Sequence, residues 1–459
     1  MDNEIVSDVK SHLERTVTWK VGLYLAIASI LDWVYLSGPA IAAVGKWAPL
    51  AWLAVVVLQI IALLSILEVA VMYKDSAGGI STYVIKAYEH RSPLIGPLAM
   101  WGYFMGWGLA IGAVALFAGF FIQYFIPDFN IVVGALLTML VCLVVNLRGI
   151  EASGRMQSLI TLVFVATIIT IIASVVQLPV IPYSGVPDML LPENNPFVAI
   201  AGILFLLAWS GYAIEAVLTI VPEYLDPIGD TKKATIACGM VYAVMTTLIC
   251  LALILYLPLE VTLNDPFTPL LPLAEMALGS AFAYGFGVIL IIGLILNTNL
   301  CFVATSRVLY EAANTGYLPR IFGKLNKNKA PAAALVFLFL VNAILVIAVG
   351  EAPLFLLVAG NIGYFVVIIL SNFTPYVMRH DFPDITREYR VSDYWIYAGV
   401  GVGIINIILL IVGALSYGLT NLAVGCALLL TVYPLYFYRT KVEDKKMQAS
   451  ATDIKGDEN

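Results

Sequence analysis

Hydrophobic residues fall along this chain in long uninterrupted runs, separated by short polar connections. Twelve runs reach or approach the length that crosses a bilayer: 21–44, 50–73, 97–125, 131–147, 158–180, 197–221, 235–258, 281–306, 331–350, 353–377, 394–416 and 421–438. A helix rises ~1.5 Å per residue, so about 20 apolar residues span the ~30 Å hydrocarbon core. Runs of this length predict membrane-spanning helices. The pattern places the chain among all-α polytopic membrane proteins with twelve transmembrane helices.

Basic residues give these spans a sidedness. Of 24 Lys and Arg, only Lys46 falls in an odd-numbered connection; the other 23 lie in the tails or the even-numbered connections. The positive-inside rule then predicts a multi-pass protein of the cytoplasmic membrane with both termini cytoplasmic. Acids such as Asp128, Asp188, Glu193, Glu260 and Asp265 gather on the opposite side. The polar stretch Met1–Lys20 reads as a cytoplasmic segment with no cleavable signal, and 440–459 as a disordered cytoplasmic tail.

Composition agrees and removes other classes. The chain has 459 residues, 61% hydrophobic and 12% charged, with a mean hydropathy of +0.95. No soluble domain needs so much apolar surface. Cys142, Cys238, Cys250, Cys301 and Cys426 lie in or beside apolar runs without ligand spacing and read as core residues. His12, His90 and His380 stand in polar connections, so no metal site is expected. No cofactor, nucleic-acid partner or enzymatic constellation is expected either, since no nucleophile–base pair or phosphate loop occurs.

Two spans carry unusual chemistry. Asp32 sits in the middle of span one, where a carboxylate costs at least ~2.5–3.5 kcal/mol without a partner. No Lys or Arg lies within the spans to neutralise it. Tyr35-Leu36-Ser37-Gly38-Pro39 follows and predicts a helix break. Span six reads Leu207-Ala208-Trp209-Ser210-Gly211-Tyr212-Ala213-Ile214-Glu215, again small residues beside an acid. Paired interruptions five spans apart point to inverted-repeat transporters with a site between broken helices. Gly and Ser that merely let helices approach closely are the other reading.

Further patterns occur in order along the chain. Glu68-Val69-Ala70 precedes Ser76-Ala77-Gly78-Gly79 and Tyr83; Asn146-Leu147-Arg148-Gly149 closes span four. Glu223-Tyr224-Leu225-Asp226-Pro227 follows span six. Ser306-Arg307-Val308-Leu309-Tyr310, then Gly316-Tyr317-Leu318-Pro319 and Pro331, leave span eight. Together these resemble the amino acid–polyamine–organocation (APC) transporter superfamily over about the first 380 residues. The resemblance implies a LeuT-like core of two inverted five-helix repeats, 21–180 and 197–377, with two appended helices at 394–438. It implies substrate held between the unwound centres of spans one and six, and alternating access. Family members commonly carry a Gly-Ser-Gly-like run whose bare amides hold a substrate carboxylate. Anchored on Pro39, that run falls here on Asp32-Trp33-Val34, and the departure matters. A carboxylate in that place repels an α-amino acid and attracts an amine.

The expected substrate site is therefore Asp32, Trp33, Ser37, Trp209, Ser210, Gly211 and Tyr212. Asp32 is a counter-ion for a small cationic substrate, a proton carrier, or a buried acid hydrogen-bonded for packing. Trp209, six residues before Glu215, is similar in spacing to the aromatic gate of relatives that carry cationic amino acids; an aromatic face also holds a cation. Glu215 resembles the span-six acid that acts as a proton-linked switch in some relatives. Asn297, Thr298 and Asn299 in span eight are oxygen-rich enough for sodium, or serve as interhelical glue. Asn361 and Tyr364 are wall candidates in span ten, and Trp101, Tyr103 and Trp107 in span three. Some proton-coupled relatives place a lysine in span five; Leu162-Val163-Phe164 has none. The reading is a secondary transporter of a small organic amine or polyamine, coupled to a proton or sodium. The alternative is an α-amino-acid transporter or exchanger with Asp32 as its proton site.

Overall fold

A computed structural model of the chain describes residues 15–29, 32–76, 78–148, 153–181 and 195–445. Ala77, Gly149, Asp188, Glu193, His12 and the tail beyond 445 lie outside the described residues.

The described chain is helical throughout, with a single isolated β-bridge between Val17 and Tyr224. Its first half contains α1 (Trp19–Ser29), α2 (Trp33–Val44), α3 (Ala48–Met72), α4 (Gly79–Tyr88), α5 (Ile95–Gly108), α6 (Ala110–Phe125), α7 (Ile131–Leu147) and α8 (Ser153–Val175). Then come α9 (Pro196–Tyr212), a 3-10 helix (Ala213–Glu223), α10 (Pro227–Tyr256), α11 (Leu259–Asn264), α12 (Leu270–Leu278) and α13 (Ser280–Asn314). After these follow α14 (Ala332–Val349), α15 (Pro353–Asp381) and α16 (Asp393–Ile408), with Leu419–Leu430 and Val432–Tyr438 closing the helical order. Backbone groups in lipid must be satisfied within the protein, which is why apolar sequence of this length takes helical form.

Nine helical runs among the described residues are long and apolar enough to cross a membrane, against the twelve expected. The difference has two sources. Spans one and two merge into a single 40-residue run, Trp33–Met72, because their connection is only the 3-10 turn Gly45–Trp47. Forty residues exceed one crossing, and Gly45 (φ 53°) ends α2 by turning the chain. Of the two other apolar helices, α7 (Ile131–Leu147) falls short of that length, and α8 is counted only over its stretch Leu162–Val175.

Contacts gather the chain into two compact units, each built from both halves of the sequence. The first comprises Met1–His90, Val175–Pro269 and Val367–Gly413. Its largest buried side chains include Trp52, Tyr35, Tyr83, Tyr212, Tyr224, Tyr242 and Phe205. Here α2 passes the backbone of Pro266 so closely that a Cβ on Gly38 would lie 1.9 Å from its carbonyl oxygen. That approach admits only glycine.

The second unit comprises Arg91–Ser174, Leu270–Val366 and Ala414–Asn459, around Phe117, Phe121, Phe286, Phe302 and Tyr364. Asn326 and Asn328 both donate to the carbonyl of Leu147, at 3.0 and 2.9 Å, satisfying the end of α7. Helix continues past Thr440, which the sequence assigns to the tail. A π-helical turn, Arg439–Glu443, carries Arg439 inward to donate to Ala313 O and Leu318 O at 2.9 and 3.0 Å.

Candidate functional site

Both expected interruptions lie in the first unit. In span one, α1 is described as far as Ser29 and α2 begins at Trp33, with Asp32 at the N-cap position. The carbonyl of Asp32 accepts from Tyr35 N and Leu36 N at 3.2 and 3.0 Å, opening the new helix. The predicted break over Tyr35–Pro39 does not occur: α2 runs through Gly38 and Pro39 to Val44. Proline forfeits one backbone bond but is tolerated in membrane helices. The discontinuity therefore lies earlier, at the acid itself. Asp32 is 2% exposed, and Trp33, Ser37 and their neighbours on α2 are buried. The Ser37 hydroxyl donates back to Trp33 O at 2.6 Å.

In span six the α-helix gives way to the 3-10 form between Tyr212 and Ala213, and that form persists for 11 residues. Such runs rarely exceed about 3–4 residues and mark strain or a hinge. Partners from neighbouring helices hold its carbonyls. Gln59 Nε2 on α3 donates to Tyr212 O at 2.9 Å, and Tyr83 OH on α4 to Leu218 O at 3.4 Å. The Tyr212 hydroxyl donates to Asn406 Oδ1 on α16 at 2.6 Å. Gly211 faces α3, where an added Cβ would meet Val55 at 2.5 Å.

Tyr242 on α10 links the two interruptions. Its hydroxyl shares a short hydrogen bond with Ser210 Oγ, and its phenol lies within electrostatic reach of the Asp32 carboxylate. Trp52 packs edge-on against the same ring at 5.8 Å. Trp209 is buried one turn before the change of helix type; Glu215 is fully buried just after it, in electrostatic reach of Tyr83. The first unit thus combines a buried carboxylate at a helix junction, a hydroxyl pair and several aromatic rings. This is chemistry for holding a small polar group.

The remaining expected residues belong to the second unit. Thr298 donates to Leu294 O of its own helix at 2.9 Å, and Asn297 Oδ1 accepts from Cys301 Sγ at 3.8 Å. Asn299 Oδ1 accepts from Asn146 Nδ2 on α7 at 2.7 Å. Asn361 and Tyr364 are buried on α15, and Tyr103 packs edge-on to Tyr364 at 6.2 Å. Among the described residues no group of three His, Cys, Asp or Glu side chains is placed to hold a metal. Sequence reasoning passed over Gln59, Tyr242 and Asn406, and took Tyr83 only as part of a motif. The available signal was a polar side chain inside an apolar run.

Residues 18–434 match the family model for amino acid permeases. The chain belongs to the amino acid permease family. This permease is similar to the uncharacterized amino acid permease YvbW of Bacillus subtilis (strain 168), 23% identical over 352 residues, covering 72% of this chain and 77% of that one. A second protein of that strain, the uncharacterized amino acid permease YecA, is 23% identical over 328 residues, with coverages of 69% and 73%. Its gamma-aminobutyric acid permease is 26% identical over 274 residues, or 57% of this chain and 56% of that protein. The APC resemblance read from the short motifs is borne out, and the family makes this a multi-pass membrane protein of solute transport.

Proposed function

We propose that this permease is a secondary transporter, working by alternating access, whose substrate carries an ammonium group that pairs with Asp32. The observation that carries the reading is the buried carboxylate at the junction of α1 and α2. In transporters with discontinuous helices, half-helix N-termini face anionic substrate groups and half-helix C-termini face cations. Asp32 supplies the protein's own anion at the N-terminus of α2. A substrate carboxylate there meets a like charge, whereas an ammonium meets the acid. Small amines without an α-carboxylate are the preferred class. Trp209 closes the site, and Asp32 and Glu215 couple transport to protons. Twelve crossings in two inverted repeats plus two helices, with both termini cytoplasmic, complete the reading.

A second reading is favoured by the family: an α-amino-acid transporter or exchanger in which Asp32 carries a proton. The relative named for gamma-aminobutyric acid stands between the two, since that compound separates its ammonium from its carboxylate. Calorimetry on purified protein decides, comparing cadaverine with lysine, and γ-aminobutyrate with glutamate, in wild type and Asp32→Gly. The member lacking the α-carboxylate should bind more tightly in wild type and lose its advantage in the variant. A wild type that prefers lysine and glutamate would establish the second reading instead.

A further inference from the structure

The second unit pairs some of its cations with acids and leaves others bare, and bare ones lie together. Arg320 and Arg439 share Asp444, at 2.7 and 3.0 Å, and Arg320 N donates to Glu443 Oε2 at 2.8 Å. Arg148, Lys324, Lys327 and Lys329 are exposed, and among the described residues none of them forms an ion pair. No Asp or Glu occurs in the sequence between Glu311 and Glu351.

Hydrogen bonds gather these cations. Asn326 and Asn328 both hold the carbonyl of Leu147, so the backbone of Lys327, between them, passes beside Arg148. Asn326 also closes the turn: its N donates to Ala330 O at 2.8 Å, and its Oδ1 accepts from Asn328 N and Ala330 N at 2.9 and 3.0 Å. Lys329 has φ 58°, the one positive value outside glycine among the described residues. Glycine adopts that conformation without a Cβ penalty, so the turn itself does not call for lysine. Strained residues that persist cluster at functional positions.

Two observations put this turn at the edge of the bilayer. Leu137, Val141, Val144 and Val145 form an exposed apolar face of α7, and the exposed Arg148 follows Val144 and Val145 on that face. An apolar face left open on a membrane helix meets lipid, and a cation at its end reaches for the headgroups. On the turn, Ile321 and Leu325 are 55% and 49% exposed, either side of Lys324. Apolar side chains interleaved with lysines suit the boundary between headgroup and acyl chain.

We infer that the segment 321–329, with Arg148, binds an anionic phospholipid: Arg148, Lys324, Lys327 and Lys329 hold the headgroup, and Ile321 and Leu325 enter the acyl boundary. Such a site is independent of the substrate held at Asp32. A zwitterionic lipid presents the same phosphate but brings its own cation, so it gains less from the cluster.

Native mass spectrometry of the purified full chain in detergent reads the binding as dioleoylphosphatidylglycerol is titrated, with dioleoylphosphatidylcholine and glycerol phosphate as comparison probes. Wild type should bind phosphatidylglycerol most tightly. A cation beside an anionic headgroup contributes about fivefold in affinity. Lys327→Gln with Lys329→Gln should therefore weaken phosphatidylglycerol roughly 25-fold, change phosphatidylcholine little, and be rescued by arginine at both positions. Lys329→Gly alone relieves the backbone strain, yet should lose about fivefold. Ile321→Ser with Leu325→Ser should weaken both lipids. Lys232→Gln with Lys233→Gln, an exposed pair in the first unit, should alter neither. All these side chains are on the surface, and unchanged thermal unfolding checks that each variant folds. If the lysine pair can be removed without loss, if the control loses as much, or if arginine does not rescue, the site is overturned. Glycerol phosphate binding as tightly as phosphatidylglycerol would overturn the lipid as occupant.

Discussion

Removing the charge of Glu68 should loosen the segment between α15 and α16 far more than its exposed ion pairs would suggest. Glu68 sits near the end of α3 and is 1% exposed. Its Oε1 accepts from Arg379 Nε at 3.1 Å and Arg387 Nε at 2.9 Å; its Oε2 accepts from Arg379 Nη2 at 2.5 Å and Val391 N at 3.0 Å. The two arginine side chains are only 14% and 9% exposed. They also hold the connecting backbone, Arg387 through Pro383 O, Ile385 O and Phe382 O, and Arg379 through Val391 O. Glu68→Ala leaves two half-sequestered guanidiniums without their shared partner, a loss of ~3–5 kcal/mol by comparison with other broken buried pairs. Glu68→Gln keeps one acceptor oxygen and neutral bonds of about half the strength, so it should fall between the variant and wild type.

Trypsin cleavage after Arg390, which is exposed and lies in this segment, reports the loosening. Where opening is fast relative to cleavage, the rate follows the population of the open form. A loss of ~3 kcal/mol then means cleavage faster by on the order of a hundredfold, since each ~1.4 kcal/mol is tenfold. Glu388→Gln is the control. Its partner Lys74 pairs with it at the surface, where Glu388 is 57% exposed, and such pairs contribute ~0–1 kcal/mol. If Glu68→Ala and Glu388→Gln are cleaved equally fast, the buried cluster does not organise the segment.

Two further perturbations follow from the same geometry. Gln59→Leu strips the donor from the Tyr212 carbonyl at the change of helix type; a buried unsatisfied carbonyl costs ~1–3 kcal/mol, so thermal unfolding should come earlier and uptake should fall, and an unchanged unfolding temperature would show that the carbonyl finds another donor. Asp444 accepts from Arg320 Nη2 at 2.7 Å and Arg439 Nε at 3.0 Å; burial alone would raise its carboxyl, but the arginine contacts outweigh it and hold it below the usual carboxylate value. A carboxyl depressed in the folded state stabilises above its unfolded value of about 4 and loses that contribution as pH falls through the lower folded value. Unfolding scans from pH 6 to pH 3 should show an acid limb that Asp444→Asn weakens, and an identical limb in the variant would refute the pairing.

How much of this could be read from the chain differs from span to span. Span six was legible because Ser210, Gly211 and Glu215 stand together in an otherwise apolar run, and the helix changes form two residues after Ser210. In span one the acid was found, but the break was placed on Gly38 and Pro39. That placement carried the rule for water-exposed helices into a buried one, where neighbouring groups accommodate a missing amide. The partners of these sites were not legible at all. Gln59, Tyr242, Asn342, Arg379 and Arg387 act across 32 to more than 300 residues of sequence, and a polar letter in an apolar run does not name the group it serves. The boundary between spans one and two was legible: α2 ends at Val44 and α3 begins at Ala48, with only a 3-10 turn between them.

The three interrupted helices differ in how the interruption is compensated, and the difference bears on function. Where backbone bonds are surrendered inside a membrane protein, the freed groups must be met by side chains. At span three, interrupted at Leu109 between α5 and α6, the repair is an amide, Asn342, which donates to Gly108 O and accepts from Gly112 N. At span six it is the amide of Gln59 and the hydroxyl of Tyr83, donors placed on carbonyls. All of these are neutral, as economy demands, since a charge would add the cost of its own desolvation. At span one the residue standing at the junction is a carboxylic acid. An ionised carboxylate donates nothing, so it cannot satisfy a freed carbonyl as Gln59 satisfies Tyr212. What it can do is face a group rich in donors and positive charge. An ammonium, with three donors and one charge, fits that description, and a coupling proton fits it in its absence. The chain places neutral amides where backbone needs repair and sets a costly acid at the start of α2, where the proposed ammonium would pair with it.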